Sequence, residues 1–294
     1  MSPLRQTRIV RWSLLAGGLL FACGTEEPPN PGPTGGTAAG GAPSTGGVVT
    51  TGGVAPGTGG LAPSTGGSTG PGGACTVGTP LTGGTARCSN GLGKLGNGYS
   101  WEVWMDSGSN CATYYGVDAA FRADWNLGTR GDFLGRAGLF FGATQPHDQI
   151  GTISADYAFM KPAGNGFSWV AVYGWTFDPL MEYYIVEDWS GRGRPGSSYE
   201  LRGTFTVDGG TYDVYYNRRT NAVSPQGTNT DFDQLWSVRK EARQCGHISI
   251  SAHLNEWGSL GLNVGGNLRE AMLVVEALDG SGTVDFTSLT VQVQ

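Results

Sequence analysis

Charge is scarce in this chain. Its 294 residues carry 18 Lys and Arg against 24 Asp and Glu, a net charge of -6, so there is no basic footprint for nucleic acid and no attraction to anionic lipid. Histidine is scarcer still, with only His147, His247 and His253, well apart in sequence. No CxxC and no Cys/His pair at ligand spacing accompanies them, so neither a metal site nor a cofactor is expected. No apolar run reaches the roughly 20 residues of a membrane-spanning helix. Glycine, by contrast, is abundant at 52 residues, which places much of the chain in turns, bulges and linkers rather than helix. The length suits one folded domain with extensions. Neutral polymers remain as partners, and the 9 Trp and 11 Tyr fit them, because flat amphipathic rings either fill a core or stack on sugars.

The ends of the chain differ in kind. Arg5, Arg8 and Arg11 precede the short apolar run SLLAGGLLFAC, as in a bacterial export signal over residues 1–23. Its last four residues, Leu20 to Cys23, resemble a lipoprotein box whose cysteine is acylated, with ordinary cleavage nearby as the alternative. Residues 24–74 are Gly, Thr, Pro, Ser and Ala with almost no large apolar side chains. Such a segment cannot offset the entropy of ordering and is expected to be a tether. The domain then occupies 75–294, extracytoplasmic, either secreted or lipid-anchored at a bacterial surface. Cys75, Cys88, Cys111 and Cys245 are an even set in an exported chain, which predicts two disulfides with three possible pairings.

From about Tyr99 onwards, short alternating segments recur between Gly, Asn and Asp clusters: YSWEVWM, GFSWVAVYGW, MEYYIVEDW, SYELRGTFTV, TYDVYYNRR, QLWSVRKEA, AMLVVEAL and VDFTSLTVQV. Regularly spaced strands of this kind predict an all-β sandwich, jelly roll or barrel. One segment breaks the pattern. Ile250, Leu254, Trp257 and Leu260 fall near helical spacing and predict a single α-helix over about 251–261. Strand periodicity puts Phe167, Trp169, Ala171, Tyr173 and Trp175 on one face, against Ser168, Val170, Val172 and Gly174 on the other. Glu182 likewise shares a face with Tyr184 and Val186, opposite Met181, Tyr183 and Ile185.

An acid in so apolar a strand is either paired with a cation or tuned by its surroundings for chemistry. Glu276, after Met272, Leu273, Val274 and Val275, repeats the situation. Two carboxylates facing one another are the machinery of glycoside hydrolysis, in which one attacks or activates water while the other protonates the leaving oxygen.

These residues resemble the family 11 glycoside hydrolases, endo-β-1,4-xylanases with a β-jelly-roll fold of two curved antiparallel sheets and a thumb loop. The likeness runs from about Tyr99 to Val293. It is carried by VYGWTFDPLMEYYIVEDW, DGGTYDVYYNRRTNA, FDQLWSVR and HLNEWGSLGLNVG, in the family's order. The resemblance implies Glu182 as nucleophile and Glu276 as acid/base of a retaining reaction. It implies Tyr173 and Tyr184 as partners of the carboxylates, and Arg219, Gln234, Trp175, Trp104 and Trp169 as sugar contacts. Residues 217–231 would form the thumb, with Ser224 to Gly227 at its tip. Asp132 is either a solvated turn residue or, by the resemblance, a neighbour that shares a proton with Glu276 and gives an acidic optimum. The implied partner is xylan, met by a monomer. Three positions depart from the family pattern: Val223 where proline is usual, Glu270 where an aromatic is usual, and Ala277-Leu278 where Gly-Tyr is usual. A binding jelly roll without hydrolysis and a β-1,4-glucanase are the rival readings.

Overall fold

The computed structural model describes residues 75–191 and 195–294. The expected export signal, Cys23 and the tether to residue 74 lie outside the described residues. In chain order come β1 (Thr85–Arg87), β2 (Gly91–Lys94), β3 (Ser100–Met105), β4 (Cys111–Tyr114), β5 (Phe121–Gly128), β6 (Phe133–Phe140) and α1 (His147–Ile150). Then follow β7 (Ile153–Met160), β8 (Ser168–Phe177), β9 (Met181–Ser190), β10 (Glu200–Val207), β11 (Gly210–Ser224) and β12 (Gly227–Arg239). The chain closes with β13 (Cys245–Ile248), α2 (Ile250–Ser259), β14 (Asn267–Leu268), β15 (Glu270–Ala277) and β16 (Gly280–Val293).

Two sheets form. One has the order β1-β4-β5-β16-β7-β13, and the other β10-β11-β12-β9-β8-β15-β6-β3-β2, with β14 added to β8. Pairing is antiparallel except between β9 and β12, which run parallel with Glu182 opposite Gln234 and Tyr184 opposite Trp236. The two sheets are otherwise antiparallel, as expected, and this one pair is the exception. After β9 the chain crosses over to lay down β10 at the edge, and the two returning hairpins leave β12 pointing the same way as β9.

Side-chain alternation decides what each sheet encloses. β5 reads FRADWNLG with every second residue buried, one face in the core and one in water. β8 and β9 are buried along almost their whole length on both faces. One face of the second sheet sends Val170, Val172, Met181, Tyr183 and Ile185 into the core between the sheets. Its opposite face carries a separate aromatic cluster containing Trp169, Tyr173, Trp175, Tyr184 and Trp236. The faces therefore divide as the alternation predicts. Gly174, between two aromatic residues, is required by close approach: a Cβ there would lie 2.2 Å from the Glu270 carbonyl oxygen and 2.6 Å from the Tyr183 ring.

The main helix spans Ile250–Ser259 rather than about 251–261, and buries Ile250, His253, Leu254 and Trp257, with its indole N–H donating to Ser237 at 2.9 Å. It is not single, because α1 adds one short turn at His147–Ile150. The thumb segment is a hydrogen-bonded hairpin formed by the ends of β11 and β12, not a loop. Its register shifts past Arg219 and Ala222, where Asn221 N–H donates to Asp231 at 2.9 Å and Thr230 to the Ala222 carbonyl at 2.9 Å. The disulfides are Cys75–Cys245 and Cys88–Cys111. The first ties the start of the domain to β13.

His253 sits fully buried among Phe205, Tyr212 and Trp257, with no hydrogen-bond partner among the described residues on either ring nitrogen. Burial, helped by Arg243 and Arg239, pushes its pKa down from 6.5 to about 3. The folded state therefore holds the ring neutral while the unfolded chain protonates it below about pH 6.5, so stability declines as pH falls through that window, by about 1.4 kcal/mol per pH unit. Thermal melts of wild type and His253→Leu between pH 6.5 and 4 test this. The wild-type melting temperature should fall more steeply, and equal slopes would show that the folded state protonates the ring as readily as the unfolded chain does.

Candidate active site

The aromatic face of the ten-stranded sheet brings together the residues singled out from sequence. Glu182 on β9 and Glu276 on β15 flank β8, and each is only 7% exposed. In the β8 register Glu182 lies beside Trp175 and Glu276 beside Trp169, with Tyr173 between them. Twist and coil of the strands close that diagonal, for both carboxylates act on the Tyr173 and Tyr184 hydroxyls and on each other.

Glu182 is surrounded by donors. Tyr173 donates to Oε1 at 2.7 Å, Tyr184 reaches the same oxygen at 3.3 Å, and the Gln234 amide donates to Oε2. Tyr173 is itself fixed, since Trp175 donates its indole N–H to the same hydroxyl at 2.7 Å. Gln234 owes its orientation to Tyr199, whose hydroxyl donates to its carbonyl oxygen at 2.8 Å and turns the amide nitrogen towards Glu182. The parallel register of β9 and β12 is what places Gln234 opposite Glu182. Burial pushes the Glu182 carboxyl up, and the bonds from Tyr173 and Gln234, the charge of Arg219 and the bond from Tyr184 pull it back.

Glu276 is shifted the same way but further, with fewer donors to oppose it. Burial, then the charges of Asp132 and Glu182, push its pKa well above the ordinary carboxylate range, with Tyr184 and Arg136 opposing. Its Oε2 is buried and accepts no hydrogen bond from the described residues. A single proton shared by the two acids therefore resides on Glu276, and the charge on Glu182.

Asp132 lies just before β6, where Glu276 pairs with Leu134. Its N–H donates to Asp106 at 2.8 Å, while its own Oδ1 is buried without a partner. Burial, Asp106 and Glu182 raise its pKa. The residue is half-buried, with one carboxylate oxygen enclosed beside the two glutamates.

The remaining sequence candidates divide by exposure. Trp104 on β3 is 37% exposed and free to meet a ring in solution, whereas Trp175 and Trp169 are largely covered, by Phe232 and by Phe167 and Trp236 respectively. Arg219 reaches the site from β11, bonding Tyr199 and acting on Glu182 and Asp132. Sequence reading passed over Tyr199 and Trp236. Trp236 stacks flat on Tyr184 at 3.7 Å between centroids, and its place two residues after Gln234 was the available signal. Glu270 faces the same way but is fully buried against Arg136 and Arg269. Val223 near the hairpin tip is 50% exposed. A hollow of about 260 Å³ at the β1–β4 edge, lined by Arg87, Lys94, Trp101 and Tyr114, contains no carboxylate and lies apart from this chemistry.

Tyr173→Phe removes the hydrogen bond to Glu182 Oε1 that favours its ionised form. The acid limb of the kcat/KM profile should move up by about one pH unit, within the range for a hydrogen bond to a charged group. An unmoved acid limb would show that this bond does not hold the charge.

The comparisons agree with this geometry. The model of the glycosyl hydrolases family 11 matches residues 96–287. The chain is 44% identical over 226 residues to endo-1,4-beta-xylanase S20 of Neocallimastix patriciarum, covering 75% of this chain and 66% of that protein. It is 43% identical over 195 residues to endo-1,4-beta-xylanase A of Bacillus pumilus, covering 65% and 81%. It spans less than two thirds of the first relatives, down to 32% of endo-1,4-beta-xylanase C of Fibrobacter succinogenes. Among solved structures, the wild-type ENZbleach xylanase superimposes with a TM-score of 0.65 at 32% identity, over 72% of this chain and 88% of that one. A jelly-roll sheet with two buried glutamates on its aromatic face, matched across most of the described residues, places the chain in glycosyl hydrolases family 11.

Proposed function

We propose that the chain hydrolyses internal β-1,4-xylosidic bonds of xylan with retention at the anomeric carbon. The observation that carries this reading is the unequal pair: Glu182 amid several donors and Glu276 with an unpartnered oxygen, joined through shared tyrosines. The names of the relatives supply the substrate class.

In the first half-reaction the ionised Glu182 attacks the anomeric carbon as the glycosidic C–O bond breaks, and Glu276 gives its proton to the departing oxygen. Glu182 is then esterified and neutral. That loss of charge lowers the proton affinity of Glu276, which becomes the base that deprotonates the incoming water. Water attacks the same carbon, Glu182 leaves, and Glu276 regains its proton. A retaining reaction of this type requires carboxyl groups about 5 to 5.5 Å apart. Trp104 offers an exposed face for a sugar ring, and Arg219 and Gln234 border the nucleophile. The chain works as a monomer outside the cytoplasm, exported by its N-terminal segment and either released or held through Cys23.

Asp132 sets the pH range. In the productive state Glu182 alone is ionised, and Asp132 and Glu276 are both protonated. Loss of one more proton from this pair leaves the remaining one held between the two carboxyls, which withholds it from the leaving oxygen. The added site loses its proton before Glu276 would alone, so the alkaline limb, and with it the optimum, lies lower than Glu276 alone would set it.

Two experiments test the reading. Wild type, Glu182→Gln and Glu276→Gln are incubated with xylan, β-glucan and soluble cellulose, and products are followed with their anomeric configuration. Release of xylo-oligosaccharides by wild type, with both variants lowered by about a thousandfold or more, is the expected result. Binding without cleavage by wild type points to the lectin-like alternative, and preference for β-glucan to the glucanase. Asp132→Asn should move the alkaline limb of the profile upward, and an unchanged limb would remove Asp132 from the mechanism.

A further inference from the structure

Beneath the carboxylates lies a charged cluster that the reaction as written does not use. Arg136, on β6, is 5% exposed on the aromatic face, and its register partners are Glu102 on β3 and Val274 on β15. Its Nη2 meets Glu102 Oε2 at 2.5 Å, and its Nη1 lies 3.8 Å from Glu270 Oε1. Arg269 also pairs with Glu270, whose side chain is fully buried. The Arg136 Nε and Nη1 groups donate to no hydrogen-bond acceptor among the described residues. As a source of stability this is a poor arrangement, because desolvating so many charges costs more than an apolar filling of the same space. What the guanidinium does touch is Tyr173. Reaching over β15, it lies 4.5 Å from the centroid of that ring.

We propose that Arg136 is a positioning residue: clamped between Glu102 and Glu270, it presses on the ring of Tyr173 and so fixes the hydroxyl that donates to Glu182. This rests on Glu182 being the nucleophile. The phenol is then held from three sides, by Arg136 on its ring, by the Trp175 N–H on its oxygen and by Tyr184 packed against it at 4.7 Å. The cation has a second effect on the pair. The groups facing Glu276 are Asp132 and Glu182, which hold its proton on, and Tyr184 and Arg136, which draw it off. Arg219 faces Glu182 and Asp132 from β11.

The test is a double-mutant cycle between Arg136→Met and Tyr173→Phe, with Arg136→Lys as the conservative variant and thermal melting to confirm folding. R136M should lower kcat by about tenfold or more, with KM changed less than about twofold, as expected when a remote change misplaces a reacting group. In the Y173F background the same substitution should cost less than about twofold, because the group it positions is gone. The alkaline limb should move to higher pH in R136M and return towards wild type in R136K. Additive losses, or a wild-type kcat and limb in folded R136M, overturn the proposal. Should R136M not fold, Glu102→Gln opens one side of the clamp while leaving the Glu270 pair, and a wild-type kcat and profile in that chain overturns it equally. Activity surviving in Glu182→Gln would instead overturn the assignment of the nucleophile, so the two failures are distinct.

Discussion

The organisation of this protein depends on one competition, between the cost of burying a carboxylate and the donors assembled around it. Glu182 is nearly inaccessible in a strand whose neighbours are aromatic or branched. Left alone there it would take up a proton. Tyr173, Gln234 and Tyr184 counter that tendency, and each comes from a different part of the chain or a different step along the strand. Glu276 has burial and like charge without comparable donors. Two residues of one type thereby acquire unequal proton affinities on a single face.

This competition explains the architecture of the larger sheet. A sheet packed on one side usually faces water on the other, as β5 does in the smaller sheet. Here the second face is covered by aromatic rings that exclude water and fix hydrogen-bond geometry at once. Trp236 stacks on Tyr184, Trp175 donates to Tyr173, and Tyr199 orients Gln234. The rings are both the low-dielectric medium and the scaffold of the donors. Arg136 belongs to the same design, as a cation placed behind the ring rather than in front of the sugar.

Much of this was legible in the chain. Alternation in FSWVAVYGW and MEYYIVEDW divided the side chains into the two faces seen in the structure, because a strand reverses its side chains at every residue, but it did not say which face is the core. The helical stripe through Leu254 and Trp257 was equally clear, although its ends were displaced by one or two residues. Arg136 was illegible for a physical reason. In FLGRAGLF an arginine amid glycine and leucine has no local partner, and Glu102 and Glu270 reach it only through cross-strand pairing, 34 residues away in the first case.

By itself, the sequence determined which residues are apolar, eight of the strands, which of their side chains share a face, and that two acids stand among aromatic rings, since these follow from residue type and a period of two. The tertiary structure alone decided the rest. It chose one disulfide pairing from three, turned β12 parallel to β9 so that Gln234 meets Glu182, drew the expected thumb loop into a hairpin, and set Asp132 beside Glu276. Contacts between strands distant in sequence depend on sheet order and register, and the protonation of a buried acid depends on those contacts rather than on the acid itself.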